Sequence, residues 1–94
     1  MFEIKQEDID NGRRCHGEHC PAAIALRRAL KAEQVTTLTG HSQVWFDDRV
    51  EYYNHSPKLW QFIFDFDKGN VVRPGMYAIF LEEVEPYAHA SGDA

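Results

Sequence analysis

The chain has 94 residues, with 10 Lys and Arg against 15 Asp and Glu, and therefore a formal net charge of -5. This length predicts one small domain, and the 44% hydrophobic and 13% aromatic content excludes extended disorder. The acidity argues against general binding to a phosphate backbone, so nucleic acid is not an expected partner.

The first third of the chain predicts a strand and two helical segments. Met1 to Lys5 alternates apolar and polar residues, which is typical of a short half-buried strand. Gln6 to Gly12 is polar and ends in Asn-Gly, which predicts one helical turn. After the irregular stretch Arg13 to Cys20, Pro21 suits a first helical position, and strong helix formers continue to Glu33.

The rest of the chain predicts a meander of three strands, a second long helix and a final strand. The three strands are Val35 to Thr39, Gln43 to Phe46 and Val50 to Asn54. Ser56-Pro57 starts the helix and Lys68-Gly69 stops it. The run Met76 to Glu83 is apolar on both faces, which fits a central strand better than an edge strand.

The predicted order is β-α-β-β-β-α-β, which indicates an α+β fold with an antiparallel or mixed sheet and two helices on one face. Residues 1–84 form the domain, and residues 85–94 form a flexible tail. The longest apolar run, Met76 to Leu81, is far shorter than the roughly 20 residues of a membrane helix. No secretory signal pattern precedes it, so we expect a cytoplasmic protein without a membrane partner.

Four metal-ligating side chains lie in one short loop. Cys15, His16, His19 and Cys20 have the spacing of one zinc half-site. A structural zinc site normally has a second half-site, whereas the remaining histidines are scattered along the chain. We therefore expect no cofactor, and the alternative is a local zinc site formed by this loop.

The same loop allows a thiol chemistry. Cys20 stands where a helix begins, so the helix dipole favours its thiolate, with His16 or His19 as the base. No third catalytic partner is marked in the sequence, so we expect no enzymatic activity. The simplest interpretation is that Cys20 packs as a small apolar residue and that the histidines are solvated.

The first long helix has one apolar face and one basic face. Its predicted buried residues are Ala22, Ala25, Leu26, Ala29 and Leu30. Arg27, Arg28 and Lys31 gather around Ile24 on the opposite side. This basic face is either simply solvated or a contact for an acidic partner or a phosphate.

The second long helix has more aromatic residues than one face holds. Leu59, Phe62, Ile63 and Phe66 form a stripe that packs on the sheet. Trp60 and Phe64 lie outside that stripe as an i, i+4 pair. Either the helix is buried on two sides, or the pair is exposed at a partner interface or in a homo-oligomer.

Three segments together resemble a known group of proteins. They are QEDIDNG, CPAAIALRRAL and SPKLWQFIFDFDKGNVVRP, with the markers Cys20-Pro21-Ala22, Phe66-Asp67, Gly69 and Pro74. The chain resembles small uncharacterised proteins of bacteriophages, prophages and their bacterial hosts. In that group two residues commonly separate the cysteines before the proline, whereas four separate Cys15 from Cys20 here.

The resemblance implies a phage-type accessory protein acting in the host cytoplasm. With no catalytic constellation in the sequence, the leading hypothesis is a non-enzymatic protein that binds a host or phage protein, with Trp60 and Phe64 at the interface, and inhibits a host or defence factor. The alternative is a metal- or thiol-dependent protein, or a nucleic-acid-binding module, built on the Cys15 to Cys20 loop.

Overall fold

A computed structural model describes residues 1–86 and confirms the α+β class. The described chain contains three helices and six strands, in the order β1 (Phe2–Ile4), α1 (Gln6–Asn11), α2 (Pro21–Leu30), β2 (Gln34–Thr37), β3 (His41–Trp45), β4 (Arg49–His55), α3 (Pro57–Asp67), β5 (Gly75–Tyr77) and β6 (Ile79–Pro86). No helix among these residues has the length and apolar character needed to cross a membrane.

Local signals define the ends of α3 but not the end of α2. The Ser56 hydroxyl accepts a hydrogen bond from the Leu59 N–H at 3.2 Å, and Pro57 occupies the first helical position, as predicted. Helix α2 ends at Leu30, three residues before the predicted end at Glu33. Lys31 adopts a left-handed conformation there, with φ of 54°, and so closes the helix without a glycine.

The strands form two antiparallel sheets. β1 pairs with β5 in a two-stranded sheet, and the other four strands form a sheet in the order β2-β3-β4-β6. The predicted final strand is therefore divided at Ala78 between two sheets, and β6 lies at an edge instead of the predicted centre. A bulge interrupts its pairing with β4, because Tyr52 faces Glu83 whereas Tyr53 faces Leu81.

One core joins the helices to both sheets. Its buried apolar residues include Ile4 of β1, Leu26 of α2, Val44 of β3 and Leu59 of α3. The buried face of α2 differs from the prediction, since Ala29 is exposed, Leu30 is half-buried and Ala23 is buried in their place.

The end of the domain also differs from the prediction. β6 includes residues 85 and 86, which the sequence analysis assigned to a flexible tail. The remainder of the predicted tail, residues 87–94, lies outside the described residues.

A charged pair connects the first helix to the second. Asp8 of α1 is 2% exposed, and its two carboxylate oxygens accept hydrogen bonds from Arg28 of α2 at 2.7 and 2.8 Å. The backbone N–H of Lys5 donates to the same carboxylate at 2.8 Å, and Arg28 also donates to the Glu3 carbonyl. Burial raises the pKa of Asp8, but these hydrogen bonds and the Arg28 charge outweigh burial and hold the pKa below its usual value. The carboxylate is therefore ionised and paired.

This pair predicts a difference between two neighbouring arginines. Arg28→Ala leaves the buried Asp8 carboxylate without its cation and should lower the free energy of unfolding by about 2 kcal/mol. Arg27→Ala is the matched control, because Arg27 is exposed on the same helix, and its effect should stay within about 0.5 kcal/mol. Urea unfolding of both variants measures the difference. Equal effects would show that the ion pair does not hold α1 to α2.

Candidate functional site

The Cys and His loop is held against two other elements of the fold. Within it, the backbone N–H groups of His19 and Cys20 both donate to the His16 carbonyl, which closes a tight turn. The Thr37 N–H donates to the Gly17 carbonyl at 2.8 Å and so fastens the loop to β2. The loop is therefore an ordered part of the domain.

Helix α3 holds the start of the same loop. Cys15 has a left-handed backbone, with φ of 54°, and its N–H donates to the Asp67 carboxylate at 2.8 Å. A cavity of about 160 Å³ lies between the loop, the end of β2 and α3. Its lining includes Cys15, His16, Cys20, Thr37, Ile63 and Asp67.

The two cysteines differ in surroundings. Cys15 is exposed, and its Sγ lies 3.9 Å from the Asp67 carbonyl oxygen. Cys20 is buried at the start of α2, and burial raises the pKa of its thiol, although the N–H groups of Ala23 and Ala22 oppose the shift. At Cys20 the loss of solvation therefore opposes the helix dipole, and the burial of the side chain agrees with the interpretation that it packs as a small apolar residue.

The two histidines of the loop contact each other. The Nδ1 atoms of His16 and His19 lie 3.0 Å apart, so one imidazole donates a hydrogen bond and the other accepts it. Within residues 1–86, no three side chains of His, Cys, Asp or Glu are arranged to hold one metal ion. The structure thus pairs the two histidines but does not gather the four predicted zinc ligands into one group.

The basic face of α2 is smaller than the sequence indicates. Arg27, Arg28 and Lys31 are exposed and Ile24 is half-buried. The Arg28 guanidinium is committed to Asp8, however, and Lys31 occupies the left-handed position that ends the helix. Arg27 and Lys31 are what remains of the predicted contact for an acidic partner.

The aromatic pair of α3 is partly exposed, so residues 1–86 do not bury this helix on two sides. Trp60 is 44% exposed and Phe64 is 38% exposed, and their rings are stacked with centroids 5.6 Å apart. The Trp60 indole lies against Gly40, where the Cβ of any other residue would stand 3.4 Å from Nε1. The Lys68 Nζ lies 5.0 Å from the centre of the Phe64 ring. We call Trp60 and Phe64 the aromatic stack.

Sequence reasoning missed a second exposed apolar group, on β6. Phe80, Leu81 and Val84 are 57%, 54% and 47% exposed. The signal was present as the pattern of apolar residues on both faces, but that pattern predicted a buried central strand.

Sequence reasoning also missed a buried chain of hydrogen bonds. The His55 Nδ1 lies 2.8 Å from the Thr39 carbonyl oxygen and therefore carries the proton that it donates there. In the neutral ring, Nε2 then accepts from the Ser42 hydroxyl at 2.7 Å, which in turn accepts from Thr37 at 2.9 Å. Ser42 has no exposed surface, so its hydrogen bond to His55 joins β3 to the end of β4 inside the domain.

No family model, curated protein or solved structure matches the chain. The resemblance to small phage and prophage proteins stays a prediction.

The buried histidine predicts a pH dependence of stability. Burial lowers the pKa of His55 below its usual value of 6.5, so the unfolded state binds the proton more readily than the folded state. The stability that the neutral ring contributes is fully present above pH 6.5 and is lost as the pH falls through the lowered pKa. Urea unfolding at pH 7.5 and 5.5 should show a loss of at most about 1.4 kcal/mol per pH unit from this group.

Replacement of the histidine isolates this effect. His55→Gln should reduce the loss of stability between the two pH values, whereas His41→Gln, which removes only the smaller repulsion from an exposed imidazole, should reduce it less. A His55→Gln variant with the full pH dependence of the parent chain would contradict the assignment.

Proposed function

We propose that the chain is a small non-enzymatic protein-binding domain. We further propose that it serves as a phage-type accessory protein in the host cytoplasm and docks on a host or phage protein, such as a defence factor that it inhibits. The observation that carries the proposal is the aromatic stack on α3. Trp in particular is enriched at the energetic centres of protein interfaces, since it buries a large area at a small cost in side-chain entropy.

The surroundings of the stack indicate the chemistry of the partner. Asp67 and Asp65, the nearby carboxylates of α3, accept hydrogen bonds from the Cys15 N–H and the Asn70 side-chain amide. The Lys68 ammonium lies over the stack itself. A partner that presents an apolar pocket, with one carboxylate on its rim to meet Lys68, would therefore complement the stack in shape and charge.

The alternatives are supported less well. The Cys15 to Cys20 loop offers a histidine pair and a buried thiol, and no observation among residues 1–86 favours metal or thiol chemistry there. On the basic face of α2, the Arg28 guanidinium already forms an ion pair with Asp8, which weakens the case for a phosphate or nucleic-acid contact. These alternatives stay expectations from the sequence.

The aromatic stack predicts a specific loss of partner binding. The Trp60→Ala, Phe64→Ala double variant should retain a partner captured from bacterial lysate at least about tenfold less than the parent chain. Gln61→Ala is the matched control, because Gln61 is exposed on the same helix outside the stack. Quantitative mass spectrometry of the retained proteins measures the effect, and circular dichroism checks that each variant is folded.

Three results would contradict the assignment. The folded double variant could retain the partner undiminished, the Gln61→Ala control could lose it equally, or no protein could be retained above background. Sedimentation of the purified chain completes the test, because a dimer that the double variant dissociates would show that the stack is a homo-oligomer contact.

A further inference from the structure

The exposure of β6 disagrees with the pattern of its sequence. Apolar residues on both faces are typical of a strand whose two faces are buried, whereas Phe80, Leu81 and Val84 are 57%, 54% and 47% exposed. In the described residues, β6 is at the edge of the order β2-β3-β4-β6 and pairs with β4 alone. At eight residues, β6 is also longer than the very short edge strands that commonly protect a sheet.

On one face, β6 continues the apolar layer of the core. Directly paired residues of an antiparallel sheet share a face. Leu81 pairs with Tyr53, and Tyr53 pairs with Ser42, so Leu81 shares the face of a fully buried residue. By the same registers, Val84 shares the face of the buried Val44. The apolar face of the sheet thus continues from the buried residues of β3 to the exposed residues Leu81 and Val84 of β6.

The other face of β6 combines an apolar residue with acids. Phe80 pairs with Asn54, while Glu83 and Glu85 pair with Tyr52 and Val50. With Glu82 at the bulge, β6 has three carboxylates and no basic side chain. Like charges placed opposite each other destabilise a strand pair, so a second copy of β6 is a poor match.

We propose that β6 binds an extended segment of a partner protein as an added strand. The faces of β6 define the chemistry of that segment. In the bound segment, apolar residues cover Leu81 and Val84 on one face of the sheet. They alternate with Lys or Arg residues, which contact the glutamates on the opposite face. Main-chain hydrogen bonds hold the strand, and the alternating side chains select it. This inference rests on the proposal that the chain binds a protein, but it does not depend on the aromatic stack.

The test uses the full chain labelled with ¹⁵N and two octapeptides. One peptide alternates lysine with valine, and its matched control alternates glutamate with valine. NMR titration should show amide shifts centred on β6 with the lysine peptide, and at least about tenfold weaker binding of the glutamate peptide. The Glu82→Lys, Glu83→Lys, Glu85→Lys variant should invert this preference.

A second variant separates strand addition from charge attraction alone. Leu81→Ser with Val84→Ser leaves every charge in place, and it should weaken the lysine peptide at least about fivefold if the apolar face is covered. Val71→Ser is the matched control, since Val71 is exposed in the loop before β5. Unchanged affinity in the double variant would overturn the proposal, as would the absence of β6 shifts at about 1 mM peptide.

The outcomes also separate the two proposals. If the lysine peptide does not bind β6 but capture of a partner from lysate still depends on Trp60, strand addition is wrong and the proposed protein-binding function stands. If the purified chain is a dimer and the Glu82→Lys, Glu83→Lys, Glu85→Lys variant is a monomer, the proposal is overturned, because a second copy of the chain then occupies β6.

Discussion

The helices cover only part of the four-stranded sheet, and this partial cover determines which residues are buried and which are exposed. A helix with its side chains is about 10 Å across and strands lie about 4.8 Å apart, so one helix covers about two strands. Helix α2 packs on β1 and β2, and Val35 of β2 is buried together with its partner Val44 of β3. On the same face, Leu81 and Val84 of β6 are about half exposed.

Contacts that are distant in sequence hold the helices and the Cys and His loop together in one cluster. The ion pair between Asp8 and Arg28 holds α1 to α2, and the bond between Cys15 and Asp67 holds the loop to α3. Small residues at the start of α2, such as Ala22 and Ala25, are fully buried against the core. Among the described residues, the aromatic stack on the outer side of α3 and the edge strand β6 both lie outside this cluster.

Local signals made much of the fold predictable. The cap and proline at the start of α3 and the proline at the start of α2 act within a few residues, so the sequence pattern identified both starts. The pairing of β1 with β5 joins residues more than 70 positions apart, and the division of the last strand at Ala78 follows from that pairing. No local pattern contains such information.

The sequence pattern singled out residues of the candidate sites but did not reveal their exposure or their partners. An i, i+4 aromatic pair outside the main stripe of α3 was visible as Trp60 and Phe64, but only the three-dimensional packing showed that residues 1–86 leave it partly exposed. Arg28 was assigned to an exposed basic face because its partner, Asp8, lies 20 residues away in another helix. The apolar residues of β6 predicted a buried central strand, but periodicity does not reveal how many neighbours a strand has.

The most direct test of this account is hydrogen exchange of the backbone amides in the unliganded full chain, resolved by residue with NMR. An edge strand bonds its neighbour through alternate residues, so amides of β6 that face β4 should exchange slowly and those between them rapidly. Amides throughout β4, which has β3 and β6 on its two sides, should be slow. Uniform protection along β6, equal to that of β4, would show that its edge is already occupied and would contradict the account.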